Sequence, residues 1–110
     1  MQSKVWKKWE RHWAEFLGGV RVPITGRARG SAPDVEHPVF AIEIKYGNVM
    51  SSRLQTAVEQ AQAAAEMVVA EGEKLPLVGI THRTGKRKLE HYVLMRAEDF
   101  KTWMERKTQT

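Results

Sequence analysis

Three charged residues in the first half of the chain have the types and the spacing that phosphodiester hydrolysis requires. Asp34 follows Pro33, and further along Glu43 and Lys45 are separated only by Ile44. Two carboxylates at coordinating distance form a hard-oxygen site for Mg²⁺, which takes its remaining ligands from water and phosphate oxygens. The ion polarises the phosphodiester, while a lysine orients the attacking water or stabilises developing charge. The combination predicts metal-dependent hydrolysis.

The pattern around Glu43 and Lys45 predicts a strand from Val39 to Tyr46, because this run is rich in β-branched and aromatic residues. Alternate side chains of a strand point to opposite faces, and Glu43 and Lys45 therefore share one face, about 7 Å apart. The opposite, core face is predicted to consist of Phe40, Ile42, Ile44 and Tyr46. The alternative interpretation of a bare E-x-K pattern is an ordinary ion pair on an edge strand.

Asp34 reaches the same place if the chain forms a hairpin that bends near His37 and Pro38. The register of the hairpin decides whether Asp34 lies beside Glu43, because a shift of one residue turns a side chain to the other face of the sheet. Asp34 opposite Glu43 brings the two carboxylates together, whereas Asp34 opposite Ile42 does not unless a bulge intervenes. The residues leave both registers open.

The segment before the hairpin is predicted to be an amphipathic helix from Val5 to Leu17, ended by Gly18 and Gly19. Its apolar stripe contains Trp6, Trp9 and Trp13, whose helical spacing favours a core or a dimer interface over stacking on unpaired bases. At 100° per residue, Glu10 borders this stripe, whereas Glu15 lies nearly opposite to it. Glu10 is therefore predicted to be at the border of the covered side of the helix and Glu15 on its solvent side.

The rest of the chain predicts further strands and helices of a small α/β domain spanning residues 1–110. After a short strand pattern from Val20 to Ile24, the predicted elements are a helix from Arg53 to Ala70, strands from Leu77 to Thr81 and from Leu89 to Met95, and a helix from Glu98 to Lys107. This order favours a single domain with a mixed β-sheet covered on both sides by helices.

Composition narrows the class of protein. The chain has 110 residues, no cysteine and a net charge of +5. The lack of cysteine excludes disulfides and thiolate-held zinc, and no segment is apolar enough to span a membrane. We expect a cytoplasmic protein, in the host-cell cytoplasm if a phage encodes it. The positive charge favours a polyanionic partner, because each neutralised phosphate releases counterions.

The combined pattern resembles the PD-(D/E)XK nuclease superfamily, with Pro33-Asp34 followed by Glu43-x-Lys45. The stretch "WERHWAEFLGGVRVPITGRARGSAPDV" followed by "FAIEIK" resembles the archaeal and phage Holliday junction resolvases. In those enzymes a helix with an early glutamate precedes an arginine- and serine-containing loop and then the PD motif. The resemblance covers about residues 6 to 70. It implies a restriction-endonuclease-like α/β/α sandwich and a homodimer that cuts branched DNA such as four-way junctions.

The resemblance also implies roles for particular residues. Asp34 and Glu43 would bind Mg²⁺, for which Mn²⁺ is expected to substitute, and Lys45 would be the catalytic lysine. The helix-borne glutamate of the family corresponds to Glu10 or Glu15, and Glu10 is preferred as catalytic and metal-binding residue. On the following helix, Gln60 and Gln62 have no assigned role, and a solvated glutamine is the simpler interpretation.

Basic residues in two loops are candidate DNA contacts. Arginine forks and serine hydroxyls bind phosphate oxygens, and the alternative is a solvated surface loop. The candidates are Arg21, Arg27, Arg29 and Ser31 in the first half, and Lys86, Arg87 and Lys88 in the second. Two other functions stay open: another PD-(D/E)XK nuclease, such as a flap or restriction-like enzyme, or a basic module that binds nucleic acid without cutting it.

Overall fold

The computed structural model describes residues 4–22, 33–68 and 73–108. The chain divides into two compact units, Met1–Val49 and Met50–Thr110. The first unit contains α1 (Lys4–Leu17), β1 (Val20–Arg21), β2 (Val35–Glu36) and β3 (Ala41–Ile42). The second unit contains α2 (Ser52–Met67), β4 (Val78–Arg83), β5 (Leu89–Leu94) and α3 (Ala97–Thr108). The predicted mixed α/β class is confirmed.

Each unit has its own small sheet in the described part of the chain. The first sheet has the order β1-β2-β3 and the second consists of β4 and β5. All of these pairs are antiparallel. The pairs β2–β3 and β4–β5 are joined by short turns, and a parallel pair would instead need a long crossover connection. The mixed sheet that we predicted is therefore not seen among the described strands.

Helix α1 ends at the two glycines, as predicted. Gly18 has a φ of 76° and the Gly19 N–H donates to the Ala14 carbonyl at 2.7 Å, the pattern of a Schellman cap. Gly19 is also required for close packing, because a Cβ there would collide with the Glu36 carbonyl oxygen and lie 2.8 Å from Cγ1 of Val35. The end of the helix thus lies directly against β2.

The core of the first unit lies between α1 and its sheet. It consists of Ala14, Val35, Ile42 and Ile44, and Trp9, Trp13 and Leu17 pack against it. The prediction that Ile42 and Ile44 face the core is confirmed. The same prediction is wrong for Phe40 and Tyr46, which are 38% and 48% exposed.

The turn between β2 and β3 is held by His37. Its Nδ1 accepts hydrogen bonds from the backbone N–H groups of Val39 at 3.0 Å and Phe40 at 3.3 Å. A ring nitrogen that accepts leaves the other to donate, so Nε2–H donates to the Leu17 carbonyl at 3.0 Å. The imidazole thereby connects the turn to the last turn of α1, at the position where a bend was predicted.

Helix α2 begins as the sequence predicts and ends earlier. Ser51 is the N-cap, and its side chain accepts a hydrogen bond from the Leu54 N–H at 3.2 Å. The helix ends at Met67 rather than Ala70, with Val68 as its C-cap. Neither α2 nor α3 contains a buried residue.

Strands β4 and β5 form a regular hairpin of six residue pairs, from Val78 opposite Leu94 to Arg83 opposite Leu89. β4 begins one residue later and ends two residues later than predicted, because Arg83 still pairs across the ladder.

None of the helices in the described ranges is long and apolar enough to cross a membrane.

Candidate active site

Asp34 is held at three points in the middle of the first sheet. Its N–H donates to the Ile42 carbonyl at 2.8 Å and its carbonyl accepts from the Val22 N–H at 3.0 Å. Its Oδ2 accepts a hydrogen bond from the Ile44 N–H at 2.7 Å. The residue is 9% exposed. Two backbone hydrogen bonds to the neighbouring segments and one side-chain hydrogen bond therefore leave the Asp34 carboxylate little freedom to move.

The hydrogen bond from Ile44 places the Asp34 carboxylate beside the E-x-K segment. Ile44 is the residue between Glu43 and Lys45, so Oδ2 of Asp34 contacts the backbone between the two charged residues. The regular pairs of this hairpin are Val35 with Ile42 and Glu36 with Ala41. Beyond them, the Asp34 N–H donates to the Ile42 carbonyl, and Asp34 is buried whereas Glu43 is exposed. The structure therefore brings Asp34 to the backbone of the E-x-K segment, while a pairing of Asp34 with Glu43 stays a prediction.

Glu43 and Lys45 are exposed, whereas Ile42 and Ile44 on either side of Glu43 are buried. The predicted alternation is therefore observed from Ile42 to Lys45, although only Ala41–Ile42 forms a regular strand. Both charged side chains are open to solvent, where a phosphodiester can approach them. An exposed ammonium keeps three hydrogen-bond donors available to a phosphate oxygen or a water molecule.

Glu10 is buried and paired with Arg21. It is 1% exposed, and its Oε1 lies 2.8 Å from Nε of Arg21. Arg21 lies on β1 opposite Val35, and the ion pair therefore joins α1 to the sheet. Glu15 is exposed. The helical geometry that preferred Glu10 over Glu15 as the covered acid agrees with these positions, while its role as a metal ligand stays a prediction.

The predicted set of three acids is not assembled. Within residues 4–22, 33–68 and 73–108, no three His, Asp or Glu side chains form a group able to hold a metal ion. The structure brings Asp34 to the segment of Glu43 and Lys45, and it gives Glu10 an arginine as partner. Mg²⁺ often uses only one or two protein carboxylates, so Asp34 and Glu43 fit this ion in number and donor chemistry.

The candidate DNA contacts have different outcomes. Arg27, Arg29 and Ser31 lie outside the described residues. Arg21 is engaged by Glu10, as above. The second group lies in the turn between β4 and β5, where Lys86, Arg87 and Lys88 are all exposed. The Thr84 N–H donates to the Lys88 carbonyl at 3.0 Å and closes the turn. Contact with DNA stays a prediction for all seven residues.

Gln62 has a structural environment in the second unit. Its Oε1 accepts from Nη1 of Arg96 at 2.8 Å, and its Nε2 donates to Oε1 of Glu66 at 3.0 Å. Gln60 is exposed. The interpretation of Gln62 as a solvated glutamine is incomplete, because it bridges a cation and an anion.

The sequence analysis missed two polar connections, Glu10–Arg21 and His37–Leu17. Arg21 alternates with the apolar residues Val20 and Val22. This alternation indicates only weakly that the Arg21 side chain has a polar partner on the face opposite to the two valines. His37 had no signal as a turn-holding residue, since histidine is common in loops. Both partners are distant in sequence, and only the packing of α1 on the sheet brings them together.

The chain matches none of the protein-family models, curated proteins and solved structures with which it was compared. The resemblance to junction resolvases therefore depends on the residues of this chain alone.

Proposed function

We propose that the protein is a magnesium-dependent structure-specific endodeoxyribonuclease of the PD-(D/E)XK type, acting on branched DNA as a Holliday junction resolvase. The observation that supports the proposal is the hydrogen bond from Ile44 N–H to Asp34 Oδ2 at 2.7 Å. It holds one motif acid against the backbone that carries the other acid and the lysine. An E-x-K pattern that occurs by chance on an edge strand would not be expected to have an aspartate hydrogen-bonded to the backbone between its two charged residues.

The residues have separate roles in the proposal. Asp34 and Glu43 would hold Mg²⁺, which when bound polarises the phosphodiester and promotes formation of hydroxide. Asp34 is immobilised by its three hydrogen bonds and would fix the position of the ion, whereas exposed Glu43 would adjust to it. Lys45 would hold the attacking water or donate to the oxygen on which charge develops. Glu10 would act through Arg21 or as a further acid.

A homodimer belongs to the same proposal. Symmetrical resolution of a four-way junction requires two strands to be cut, and a symmetric pair of chains supplies two equivalent sites. An α/β/α sandwich is likewise the architecture that a nuclease of this type would have. The preference for junctions over other DNA is supported by the family resemblance alone.

The test measures cleavage and binding separately. Asp34→Asn keeps an oxygen that accepts from Ile44, and Lys45→Ala shortens an exposed side chain, so both variants should fold. We expect each to lower magnesium-dependent cleavage by at least about a hundredfold while junction binding persists, because Asp34→Asn weakens the hold on the metal ion and Lys45→Ala removes the group that holds the attacking water or stabilises developing charge. Glu36→Gln is the matched control, because Glu36 is an exposed acid on the same strand.

The substrate is decided by comparing a four-way junction, a flap, a linear duplex and a single strand in Mg²⁺ and in Mn²⁺. Paired symmetric nicks restricted to the junction would support a resolvase. Comparable cutting of linear duplex would favour a flap or restriction-like nuclease. If wild-type protein binds these DNAs and cuts none of them, the protein is instead a basic binding module, which the exposed turn of Lys86, Arg87 and Lys88 would suit.

A further inference from the structure

An aromatic groove opens beside Lys45 in the first unit. It has a volume of about 540 Å³, which is in the range of small-ligand sites. Its walls come from α1 and from the segment that follows the E-x-K motif. The lining residues are Trp9, Trp13, Lys45, Tyr46, Gly47 and Asn48. One residue of the proposed chemistry therefore borders a second, uncharacterised surface.

The aromatic wall of this groove is a stack of rings. Trp9 and Tyr46 are stacked, with centroids 5.7 Å apart and planes inclined by 19°. Trp6 contacts Tyr46 edge-on at 6.3 Å, and Nζ of Lys8 lies 5.4 Å from the centre of the Trp9 ring. Tyr46 is held by two tryptophans and is still 48% exposed. Its ring is therefore held in place while about half of the residue stays open to solvent.

The remaining wall is polar. Lys45 and Asn48 flank Tyr46, and Asn48 is exposed. Gly47, with a φ of 116°, turns the chain between them, and a Cβ at this position would meet nothing within 4 Å. The groove thus combines an aromatic surface, an amide that both donates and accepts hydrogen bonds, and a cation.

We propose that this groove binds one unpaired nucleobase of the substrate strand, stacked on Tyr46, with its polar edge at Asn48 and its phosphate at Lys45. The inference rests on the proposed function, since it places the base next to the phosphodiester that Lys45 serves. It restricts the substrate to DNA with at least one unpaired or extruded nucleotide at the cut. Aromatic side chains bind unpaired bases in this way with little sequence preference.

A second groove shows why a base suits the first one better than an apolar protein segment does. In the second unit, a groove of about 410 Å³ is lined only by apolar residues, namely Leu75, Leu77, Val93, Met95, Phe100 and Trp103. That lining offers nothing to the polar edge of a base or to a phosphate. The groove beside Lys45 has both an amide and a cation, which an apolar partner would leave unpaired.

The test is equilibrium binding of a short single-stranded oligonucleotide containing 2-aminopurine, without divalent metal so that nothing is cut. Stacking of 2-aminopurine on an aromatic ring quenches its fluorescence. Wild-type protein should quench it, and Tyr46→Ala should weaken binding by about tenfold and remove the quenching, within the range found for one stacked base. Tyr46→Phe keeps the ring and should bind as wild type does.

The matched control is Tyr92→Ala. Tyr92 is the second tyrosine of the chain and is 52% exposed, but it lies on β5 in the other unit. Its loss should not change binding or quenching. Circular dichroism of Tyr46→Ala and the behaviour of Tyr46→Phe separate loss of stacking from loss of fold.

Two results would overturn the inference. One is unchanged affinity and quenching in Tyr46→Ala; the other is conversion of a dimer into a monomer by this substitution, which would make the groove a protein interface. The outcome is independent of cleavage. Quenching by a protein that cuts no DNA would keep the inference and defeat the nuclease proposal, whereas cleavage without quenching would do the reverse.

Discussion

The two compact units each contain an arginine–glutamate ion pair, and the environments of these pairs are opposite. In the first unit, Glu10 and Arg21 lie 2.8 Å apart with side chains 2% and 20% exposed. In the second unit, Glu73 and Arg106 lie 3.2 Å apart with side chains 84% and 42% exposed. A buried carboxylate depends on its partners for the solvation that it has lost, whereas an exposed one is solvated by water.

The same contrast extends to the packing of the two units. The hydrophobic core residues of the described chain are Ala14, Val35, Ile42 and Ile44, and all lie in the first unit, whereas the buried residue of the second unit in the described ranges is Pro76. The buried polar residues, Glu10 and Asp34, lie there too. In the second unit the helices contribute no buried residue. The candidate site therefore belongs to the unit in which burial restricts where polar groups can lie.

The largest expected effect comes from breaking the buried pair. Arg21→Met removes the guanidinium and keeps an apolar stem, which leaves Glu10 buried without this cation. We expect the free energy of unfolding to fall by about 2 kcal/mol, less than for a fully buried pair because Arg21 is partly hydrated. Arg106→Met is the matched control and should cost less than about 0.5 kcal/mol. Urea denaturation measures both.

A second substitution tests whether the buried charge of Glu10 causes the loss of stability in Arg21→Met. Adding Glu10→Gln to Arg21→Met removes the buried negative charge that has lost this arginine, and should recover part of the lost stability. If Arg21→Met and Arg106→Met have equal effects, or if Glu10→Gln recovers nothing, the contrast between the buried and the exposed pair is wrong.

An intermediate effect is expected where α1 meets β2. Gly19→Ala places a methyl group against the Glu36 carbonyl oxygen and Val35, and backbone cannot move away as a flexible side chain can. The cost should be about 2 kcal/mol, as for other overpacked positions. Gly79→Ala on β4 meets nothing within 4 Å and should change stability by less than about 0.5 kcal/mol, since alanine loses less conformational entropy than glycine. Thermal unfolding of the two variants compares them; similar losses would contradict the difference in packing.

The smallest effect concerns an exposed contact of the second unit. The Tyr92 hydroxyl donates to Oε1 of Glu90 at 2.9 Å. This hydrogen bond, and then the negative charge of Glu90, raise the pKa of Tyr92 above its ordinary value of 10.0. A raised pKa means that the fold favours the protonated phenol, so any contribution to stability is present below pH 10.0 and is lost as the pH rises through the raised value.

The measurement uses Tyr46→Phe protein, in which Tyr92 is the only tyrosine left. Titration by ultraviolet absorbance should place the midpoint above 10.0, and adding Glu90→Gln should lower it. Urea denaturation should show no measurable change in stability on Glu90→Gln, because water replaces an exposed contact. A midpoint unaffected by Glu90→Gln would show that the carboxylate does not perturb the phenol.

Much of the first unit could be predicted from local patterns. Helical spacing and two glycines predicted α1 and its end, because a left-handed cap favours glycine. Alternation predicted that Ile42 and Ile44 are buried and that Glu43 and Lys45 are exposed. The same alternation failed at Phe40 and Tyr46, because periodicity indicates which face a residue is on and not how far the covering helix extends.

The candidate site was predictable in composition and not in arrangement. Asp34, Glu43 and Lys45 were recognised by type and spacing, yet the hydrogen bond from the Ile44 N–H to Oδ2 of Asp34 that brings them together could not be predicted from that spacing. The expected third acid, Glu10, is buried as its helical position suggested and is paired with Arg21, which no local pattern indicates. The aromatic groove at Tyr46 was likewise not predictable, since it requires α1 to pack beside the segment that follows Glu43.

The sequence by itself determined which segments become helix or turn and which side chains share a face, because these properties depend on neighbours a few residues apart. Tertiary structure alone decided that Asp34 bonds to Ile44, that Glu10 faces Arg21 and that His37 holds the end of α1. Those contacts join residues 10 to 20 positions apart. They form only when a helix and a sheet exclude water from the space between them, which leaves each buried polar group to find a protein partner.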